Sequence, residues 1–443
     1  MEHTKHTVRT GTESLWAALG GDPALVDRVA FTGPPGLLPA RLPVMELARA
    51  SVAAAGLAAV ERAGLPGPVR VDDGAVATAF TSERHLRIDG RAPVSFAPLS
   101  RFWRAADGRV RTHANYPHHR AALLAALGVP SGTPEDGAVR AVAAAIGERT
   151  AAEVETAVYG AGGLAVALRT PGEWAAHPQG REVAARPLLT RERLDGAPPQ
   201  PRSGPLRVLD LTRVLAGPVA TRTLALLGAD VLRIDPPDRP ELPDQHADTN
   251  VGKRTSVLDL ERPSDRRTFD GLLDAADVLV TGYRPGALDR FDLHRPGLVT
   301  ARVSAWGDYG PWGGRRGFDS LVQAATGIAV VEGSAEEPGV LPAQALDHAT
   351  GYLLAAAVLR SLTERDRDGG TRLVRLALAQ TGHWLTHALP AYEPGRYLVE
   401  SEGPLGHLRH ALSPVAYEGG PAGWTRPPGL PGGDAPVWAG PTA

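Results

Sequence analysis

The feature that most constrains the fold is an alternation of apolar strands and helical segments after residue 206. Residues 207–235, RVLDLTRVLAGPVATRTLALLGADVLRID, predict a strand, a turn, a helix and a second strand, which together make a βαβ unit. Further strands are predicted at residues 255–260, 277–281 and 298–306, with a helix at 264–275. Alternating strands and helices form parallel sheets covered on both faces. We therefore expect an α/β fold with a Rossmann-like, doubly wound and mainly parallel sheet.

A linker rich in Pro, Gly and Ser, Asp195–Pro205, marks the main domain boundary. Residues 206–443 are predicted to form the large domain. Residues 101–194 are predicted to form a smaller α+β domain that precedes it, with a helix near 117–127.

Residues 1–100 resemble part of the large domain. An Ala-rich helix at 42–64 and a predicted strand at 69–80 repeat the helix, turn and strand order of residues 345–378. When the two helices are superposed, Glu46 falls where Asp347 falls. We interpret residues 1–100 as a partial copy; chance similarity between Ala-rich helices is the alternative.

Composition excludes several classes of function. The 443 residues contain no cysteine, which excludes disulfides, thiolate nucleophiles and Cys-based zinc sites and is typical of a cytoplasmic protein. The formal charge of −2 gives no basis for nucleic-acid binding. No signal peptide is apparent, and the most apolar run, residues 47–60, is too short to span a membrane.

Three histidines, His113, His118 and His119, raise the question of a metal site. No carboxylate stands at ligand spacing on the same helix, so a surface cluster is the preferred interpretation and no metal is predicted.

The helix predicted from residue 345 to the glycines Gly369 and Gly370 carries Asp347 in its first turn. Asp is among the best N-cap residues, because its oxygen accepts backbone N–H groups of the first turn. The preferred structural interpretation of Asp347 is therefore a cap. A functional carboxylate kept ionised by the helix dipole is compatible with that role.

The loops after the strands are the expected ligand site of such a sheet. The first strand-to-helix turn reads DLTRVLAGP and lacks the glycines that a dinucleotide pyrophosphate requires, so NAD is disfavoured. Walker A and G-x-S-x-G motifs are also absent. Arginines in or near these loops could hold the phosphates of an anionic cofactor, although arginine is simply frequent in this chain; they are Arg213, Arg254, Arg284, Arg290, Arg315 and Arg316.

Several segments resemble the class III (CaiB/BaiF) CoA transferases, a family that includes α-methylacyl-CoA racemases. The similarity runs in collinear order over about residues 205–385 and includes RVLDLTRVLAGPVATRTLALLGADVLRID, VGKRTSVLDL, DVLVTGYRPGALDRF, GPWGGRRGFDSLVQAATG and LDHATGYLLAAAVL. Residues 100–190 resemble the small domain of the family. That domain follows the catalytic helix in the family and precedes it here. The order is therefore that of a permuted chain or of a tandem that has lost pieces, and the partial copy within residues 1–100 fits the second alternative.

The resemblance implies a CoA transferase that moves CoA from an acyl-CoA to a small carboxylic acid, with Asp347 as a nucleophile of ordinary pKa. A mixed anhydride and then an aspartyl-CoA thioester would form on Asp347. The CoA thioester is a substrate, and no bound cofactor is implied. The CoA contacts implied are Thr212, Arg213, Val214, Leu215, Ala216, Leu258, Arg284 and Arg290. Family dimers suggest a homodimer, whereas a permuted chain that supplies both halves of the site is the alternative.

Three departures from the family pattern keep other interpretations open. Phe318 stands where the racemases have a His, which makes racemisation the less favoured activity. Gly282 replaces an Asn that would contact CoA, and Leu346 precedes Asp347 where transferases often have Gly. An inactive acyl-CoA-binding relative therefore remains the main alternative, and the role of Glu46 remains open.

Overall fold

The computed structural model describes residues 11–94, 96–199, 204–386, 397–417, 419–421 and 423–438. The helices in chain order are α1 (residues 11–18), α2 (Val44–Ala63), α3 (Asp73–Phe80), α4 (Ser82–His85), α5 (Pro117–Ala126), α6 (Glu135–Gly147), α7 (Ala151–Gly160), α8 (Pro171–Ala176), α9 (Pro178–Ala184), α10 (Ala216–Leu226), α11 (Pro243–Thr249), α12 (Pro263–Asp274), α13 (Asp319–Ala325), α14 (Ile328–Glu332), α15 (Ala345–Asp368) and α16 (Leu378–Leu385).

The strands in chain order are β1 (Val29–Thr32), β2 (Val69–Asp72), β3 (Arg87–Ile88), β4 (Phe102–Arg104), β5 (Arg109–Thr112), β6 (Ala165–Ala167), β7 (Leu189–Arg193), β8 (Arg207–Leu211), β9 (Asp230–Asp235), β10 (Arg254–Val257), β11 (Val278–Thr281), β12 (Val299–Ser304), β13 (Arg372–Ala377), β14 (Leu398–Gly403), β15 (Gly406–Ala411) and β16 (Ala416–Tyr417).

A seven-stranded sheet forms the centre of the large domain, with the strand order β10-β9-β8-β11-β12-β13-β7. Pairing is parallel from β10 to β13, and β7 adds to the edge antiparallel to β13. Strand order reverses beside β8, the first of the parallel strands along the chain, which places the ends of β8 and β11 at the switch point where such sheets bind ligands. The predicted mainly parallel α/β fold is confirmed.

Alternate residues of the central strands enter separate cores on the two faces of the sheet. Val208 and Val278 join the core that contains α10 and α15. Leu209 and Leu279 join a second core with Phe269 of α12. Both faces are therefore buried, which explains why these strands read as continuous apolar runs.

The N-terminal unit packs along the large domain through its long helix. Helix α2 lies against α15, and the Arg360 guanidinium at the far end of α15 forms an ion pair with Glu61 of α2. Strands β1 and β2 pair in parallel, as β12 and β13 do. The element order α2, β2, α3 therefore repeats the order α15, β13, α16, and the interpretation of residues 1–100 as a partial copy stays a prediction.

The strand predicted at residues 69–80 is wrong beyond residue 72. The chain turns into α3 there, because the Asp72 side chain accepts a hydrogen bond from the Ala75 N–H at 3.1 Å and caps the helix.

The smaller unit consists of the antiparallel strands β4, β5 and β6 packed against α5, α6 and α7 around a separate apolar core. Strand β7 then carries the chain into the large sheet. Further along, the hairpin β14–β15 pairs with β3, and β16 pairs with β2, so the C-terminal segment returns to the N-terminal unit. Within the described part of the chain, the helices are too short or too polar to cross a bilayer.

Candidate functional site

Asp347 lies in the first turn of α15, but it does not cap that helix. Gln344 is the N-cap residue, without a side-chain cap bond. The capping acceptor comes from α13: Asp319 Oδ2 accepts hydrogen bonds from the Leu346 N–H at 2.9 Å and the Asp347 N–H at 3.1 Å. The preferred cap interpretation of Asp347 is therefore wrong, because another element satisfies these donors and leaves the Asp347 carboxyl group free for a different role.

The Asp347 carboxyl group lines a cavity of about 730 Å³ although its residue is only 6% exposed. Burial and the nearby carboxylate of Asp319 raise the pKa of Asp347 well above its usual range, and a hydrogen bond from the backbone of Ala216 opposes them. The expectation of an ordinary pKa is therefore wrong. Low-dielectric surroundings and a like charge disfavour ionisation more than the helix N-terminus favours it.

The buried side chain of Asp210, near the end of β8, holds the first strand-to-helix turn in place. Its Oδ1 accepts the Thr212 N–H at 2.9 Å, and its Oδ2 accepts from the Thr221 hydroxyl at 2.5 Å and from Lys253 Nζ at 3.0 Å. Burial alone would raise the pKa of Asp210, but the charges of Lys253 and Arg233 outweigh it and lower that pKa. The buried carboxylate therefore stays ionised and holds the turn in one conformation.

Val214 in this turn has a φ of +69°, in the left-handed region that β-branched residues avoid. The strained backbone is held by Glu241, which accepts the Val214 N–H at 2.8 Å. Glu241 also accepts from the Tyr116 hydroxyl at 2.5 Å, and the Arg233 guanidinium balances its charge at 3.4 Å. Strain of this kind costs about 1–3 kcal/mol and persists where surrounding contacts over-determine it, commonly at functional sites.

Most of the predicted site residues share the cavity. Its walls include Arg213, Val214, Ala216, Leu258, Arg284, Arg290 and Asp347. Thr212 and Leu215 do not line it: the Thr212 side chain is buried on Asp210, and Leu215 is 5% exposed. Their contribution is to the shape of the turn.

The arginines differ in what already neutralises them. Arg254 pairs with Asp230 at 2.7 Å and lies outside the cavity lining, and Arg315 pairs with Glu155 at 3.0 Å. Arg290 is exposed and paired with Glu261. Arg284 and Arg316 line the cavity without an ion-pair partner among the described residues.

The opposite wall of the cavity comes from the smaller unit and was missed as a site from the sequence. Tyr116, His118 and His119, at the start of α5, line it together with Asp347. The predicted surface cluster is therefore wrong for His113 and His119, which are 5% and 4% exposed. Both rings lie beside Phe318, and His113 stacks on it with centroids 3.8 Å apart. The available signal was the run YPHHR, which follows a strand after three residues and begins a helix.

The structure also shows where two further residues singled out in the sequence lie, Leu346 and Glu46. Leu346 is fully buried, close to Gly382, and does not line the cavity, so it does not crowd the carboxyl group of Asp347. Glu46 occupies the third position of α2, as Asp347 does in α15, but its carboxylate lies against Gly11 and outside this cavity. Burial raises its pKa. Among the described residues, no group of histidine and carboxylate side chains is arranged to hold a metal ion.

The sequence is similar to known proteins over the segment that forms the large domain. Residues 205–416 match the family model of CoA-transferase family III. The matched segment is thus similar to CoA-transferase family III. It includes Asp347, the strained turn and the unpaired arginines.

Individual relatives are similar over the same region. Acetyl-coenzyme A transferase nodX of Hypoxylon pulicicidum is 36% identical over 211 residues, which cover 44% of this chain and 35% of that protein. Probable fatty acyl-CoA transferase Rv3272 of Mycobacterium tuberculosis is 34% identical over 205 residues, covering 41% and 51%. A succinyl-CoA:mesaconate CoA-transferase of Haloarcula hispanica is 34% identical over 202 residues, covering 39% and 50%. The chain thus spans about half or less of the length of these relatives.

A crystal structure of Rv3272 from Mycobacterium tuberculosis aligns with a TM-score of 0.39 at 32% identity, covering 42% of this chain and 57% of that chain.

Proposed function

We propose that this chain transfers CoA from an acyl-CoA to a small carboxylic acid, with Asp347 as the nucleophile. The observation that carries the proposal is the position of Asp347: a buried carboxyl group, not used as a helix cap, faces a cavity whose other walls hold unpaired arginines. A carboxylate nucleophile and an anionic, elongated substrate match that arrangement.

In the first half of the reaction, a carboxylate oxygen of Asp347 attacks the thioester carbon, the C–S bond breaks, and a mixed anhydride and CoA thiolate form. The thiolate then attacks the aspartyl carbonyl of the anhydride, which releases the donor acid and leaves an aspartyl-CoA thioester. The acceptor carboxylate attacks this thioester to form a second anhydride and thiolate. Attack of the thiolate on the acceptor carbonyl gives the new acyl-CoA and regenerates Asp347.

The residues around Asp347 suit these steps. The Ala216 backbone, at the N-terminus of α10, interacts with the Asp347 carboxyl group and is placed to stabilise charge on the reacting oxygen. Arg213, Arg284 and Arg290 line the cavity and would hold the CoA phosphates. The apolar Leu258 beside them fits the non-phosphate parts of CoA.

The raised pKa of Asp347 has a consequence for activity. The ionised carboxylate is the nucleophile, so kcat/KM is expected to rise with pH through the pKa of this group. A carboxylate of raised pKa is also more basic when it is ionised.

The test is to incubate the protein with a panel of acyl-CoAs in hydroxylamine and to locate the trapped hydroxamate by mass spectrometry. We expect modification of Asp347 in the wild type. The variant Asp347→Asn should fold, bind CoA and turn over no substrate. Unchanged turnover in that variant would remove Asp347 from the mechanism.

A non-catalytic acyl-CoA-binding protein is the second candidate, and the raised pKa of Asp347 favours it because a protonated carboxyl group is not nucleophilic. It predicts CoA binding without hydroxamate formation at any pH. Racemase activity predicts exchange of the α-proton of a branched acyl-CoA in D₂O; we expect no exchange, since Phe318 supplies no base.

A further inference from the structure

The loop between β12 and α13, residues 305–318, carries part of the cavity wall and leads directly into the residue that holds the start of α15. Arg316 and Phe318, near its end, line the cavity. Asp319, the first residue of α13, accepts the Asp347 N–H at 3.1 Å. The backbone of this β12–α13 loop therefore sets the position of the wall relative to the carboxyl group of Asp347.

The first half of the β12–α13 loop is held by the side chain of Gln179. This residue lies in the short helix α9, which precedes β7, and it is fully buried. Its Nε2 donates to the Trp306 carbonyl oxygen at 2.9 Å and to the Tyr309 carbonyl oxygen at 3.2 Å. Its Oε1 accepts the Trp312 N–H at 2.8 Å. One amide thus fixes three backbone groups of the loop and uses both of its N–H groups and its oxygen.

The loop sequence leaves space for this amide at Gly310. The φ of Gly310 is +68°, and a Cβ there would be 2.5 Å from Gln179 Oε1. Glycine therefore meets two requirements at once, the left-handed backbone and the close approach of the amide. A side chain at residue 310 would have to displace the group that holds the loop.

The second half of the loop is attached to the smaller unit by other groups. The Tyr159 hydroxyl of α7 donates to the Arg316 carbonyl oxygen at 2.9 Å, and the Arg315 guanidinium pairs with Glu155 at 3.0 Å. Gln179 acts instead on the part of the loop that leaves β12. Both halves of the loop are therefore attached to segments that precede β7 in the chain.

We propose that Gln179 is a positioning residue: by fixing the backbone of the β12–α13 loop, it holds Arg316, Phe318 and Asp319 where the reaction at Asp347 requires them. The proposal rests on the proposed function for the role of Asp347. Gln179 does not line the cavity, so it acts on the site only through the loop. The arginines assigned to the CoA phosphates are not on this loop; they are Arg213, Arg284 and Arg290.

Two variants test the hydrogen bonds of this amide. In Gln179→Leu, the loop loses all three of them. In Gln179→Glu, the side chain keeps its shape and its acceptor for the Trp312 N–H, but an oxygen replaces the donor that faces the Trp306 and Tyr309 carbonyl oxygens. With an acyl-CoA that modifies Asp347 in the wild type, we expect kcat to fall about tenfold or more in both variants at neutral pH. The Kd of CoA, from isothermal titration calorimetry, should stay within about threefold of the wild-type value.

The pH dependence of Gln179→Glu tests the role of the donor directly. A protonated carboxyl group at residue 179 again donates to one of the two carbonyl oxygens, whereas an ionised one repels both. The ratio of kcat in Gln179→Glu to kcat in the wild type should therefore rise as pH falls. The corresponding ratio for Gln179→Leu should not change with pH, because leucine does not titrate.

Gln380 on α16 provides the matched control, because it is a second buried glutamine that joins the large domain to the segment before β7. It is 5% exposed, and its Nε2 donates to the carbonyl oxygens of Arg186 at 3.2 Å and Pro187 at 2.8 Å. It does not line the cavity of Asp347. Gln380→Leu should lower the urea midpoint as Gln179→Leu does, and it should keep the kcat of the wild type.

Hydrogen exchange of the loop amides tests the position of the loop independently of turnover. By mass spectrometry, residues 306–318 should exchange faster in Gln179→Leu than in the wild type or in Gln380→Leu. If this loop exchanged at the wild-type rate in Gln179→Leu, the proposal would be overturned whether or not the chain is active.

The outcomes separate this proposal from the proposed function. If no acyl-CoA modifies Asp347 in the wild type, the proposed function fails, and hydrogen exchange still decides whether Gln179 fixes the loop. If Asp347 is modified equally fast in the wild type and in Gln179→Leu, the proposed function stands and the positioning role is wrong. Equal loss of kcat in Gln179→Leu and Gln380→Leu would mean that general destabilisation lowers activity, and it would overturn the positioning role as well.

Discussion

At the scale of single residues, the site combines groups that are costly to bury with contacts that keep them in place. Asp347 and Asp319 are both buried, and burial is the main cause that raises the pKa of each. Asp319 receives hydrogen bonds from two backbone N–H groups and from the Gln323 side chain. Of the two carboxyl groups, Asp319 is thus better stabilised as a carboxylate, and Asp347 carries most of the cost of ionisation.

The first prediction concerns the pH dependence of stability. The folded-state pKa of Asp347 is above its unfolded value, so the folded protein binds more protons than the unfolded chain. The free energy of unfolding therefore falls as pH rises from about 4 through the raised pKa, because the buried carboxyl group must then ionise. Asp347→Asn should therefore raise the free energy of unfolding at neutral pH, by about 1 kcal/mol or more. The gain should shrink as pH falls through the raised pKa and be absent below about pH 4.

Urea unfolding of wild type and variant from pH 4 to pH 8 would measure this difference. An advantage of the variant that grew as pH fell would contradict the assigned direction of the shift.

The second prediction concerns the buried pair of Lys253 and Asp210, whose side chains are both fully buried and 3.0 Å apart. Burial lowers the pKa of Lys253 to about 8, and Asp210 opposes that decrease. Lys253→Met should lower the free energy of unfolding by about 3–5 kcal/mol, because it leaves a buried carboxylate without its countercharge.

The control is the double variant Lys253→Met, Asp210→Asn, which removes both charges and should recover part of the loss. A double variant no more stable than Lys253→Met, as judged from urea midpoints, would show that the missing charge is not the main cost.

At the scale of elements, the geometry around Asp347 depends on how closely α10 and α15 approach. Gly351 lies one turn after Asp347 on α15, and a Cβ there would be 2.6 Å from the Ala216 carbonyl oxygen and 2.7 Å from Val219 Cβ. The absence of a side chain lets the N-terminus of α10 reach the Asp347 carboxyl group. The small residue is thus required by the crossing of two helices and not by the chemistry itself.

The third prediction follows from this contact. Gly351→Ala should lower the free energy of unfolding by about 1–3 kcal/mol through overpacking, despite the better helix propensity of Ala. It should also lower kcat, because Ala216 moves away from Asp347.

Gly382→Ala on α16 is the matched control. The nearest atom to its new Cβ, Ile328 Cδ1, would be at 3.4 Å, so this variant should be neutral or stabilising by up to about 1 kcal/mol. Thermal unfolding and steady-state kinetics of both variants test the pair; equal behaviour would mean that the helix crossing does not set the site geometry.

At the scale of the whole molecule, the cavity is assembled from two units of one chain. Tyr116 and His119 come from the smaller unit, and Asp347 and Ala216 come from the large domain. The Tyr116 hydroxyl joins the two through Glu241, which also fixes Val214. One chain therefore supplies both walls of the site.

The fourth prediction is that two inactive variants do not complement each other. Asp347→Asn removes the nucleophile, and His119→Trp fills the opposite wall. If each chain builds its own cavity, a mixture refolded together should be as inactive as either variant alone. Recovery of turnover in the mixture, measured at several protein concentrations, would mean that two copies share their sites.

Sequence patterns were sufficient for the parts of this protein that depend on local chemistry. The apolar runs of β8, β9 and β11 and the helical spacing of α10 and α15 predicted a parallel sheet, because burial on both faces leaves a signature within each element. The segments at residues 205–385 likewise indicated the family and the position of Asp347. These features repeat at short range and can be recognised from neighbours along the chain.

Only the tertiary structure decided the roles that depend on distant partners. The sequence pattern predicted a helix cap at Asp347, whereas in the folded chain Asp319, 28 positions away, accepts the Asp347 N–H. The sequence pattern predicted a surface position for His119, whereas packing of α5 against the loop that carries Phe318 buries it. Hydrogen-bond satisfaction and the electrostatic cost of burial depend on groups that the chain brings together only by folding, so local sequence patterns do not determine them.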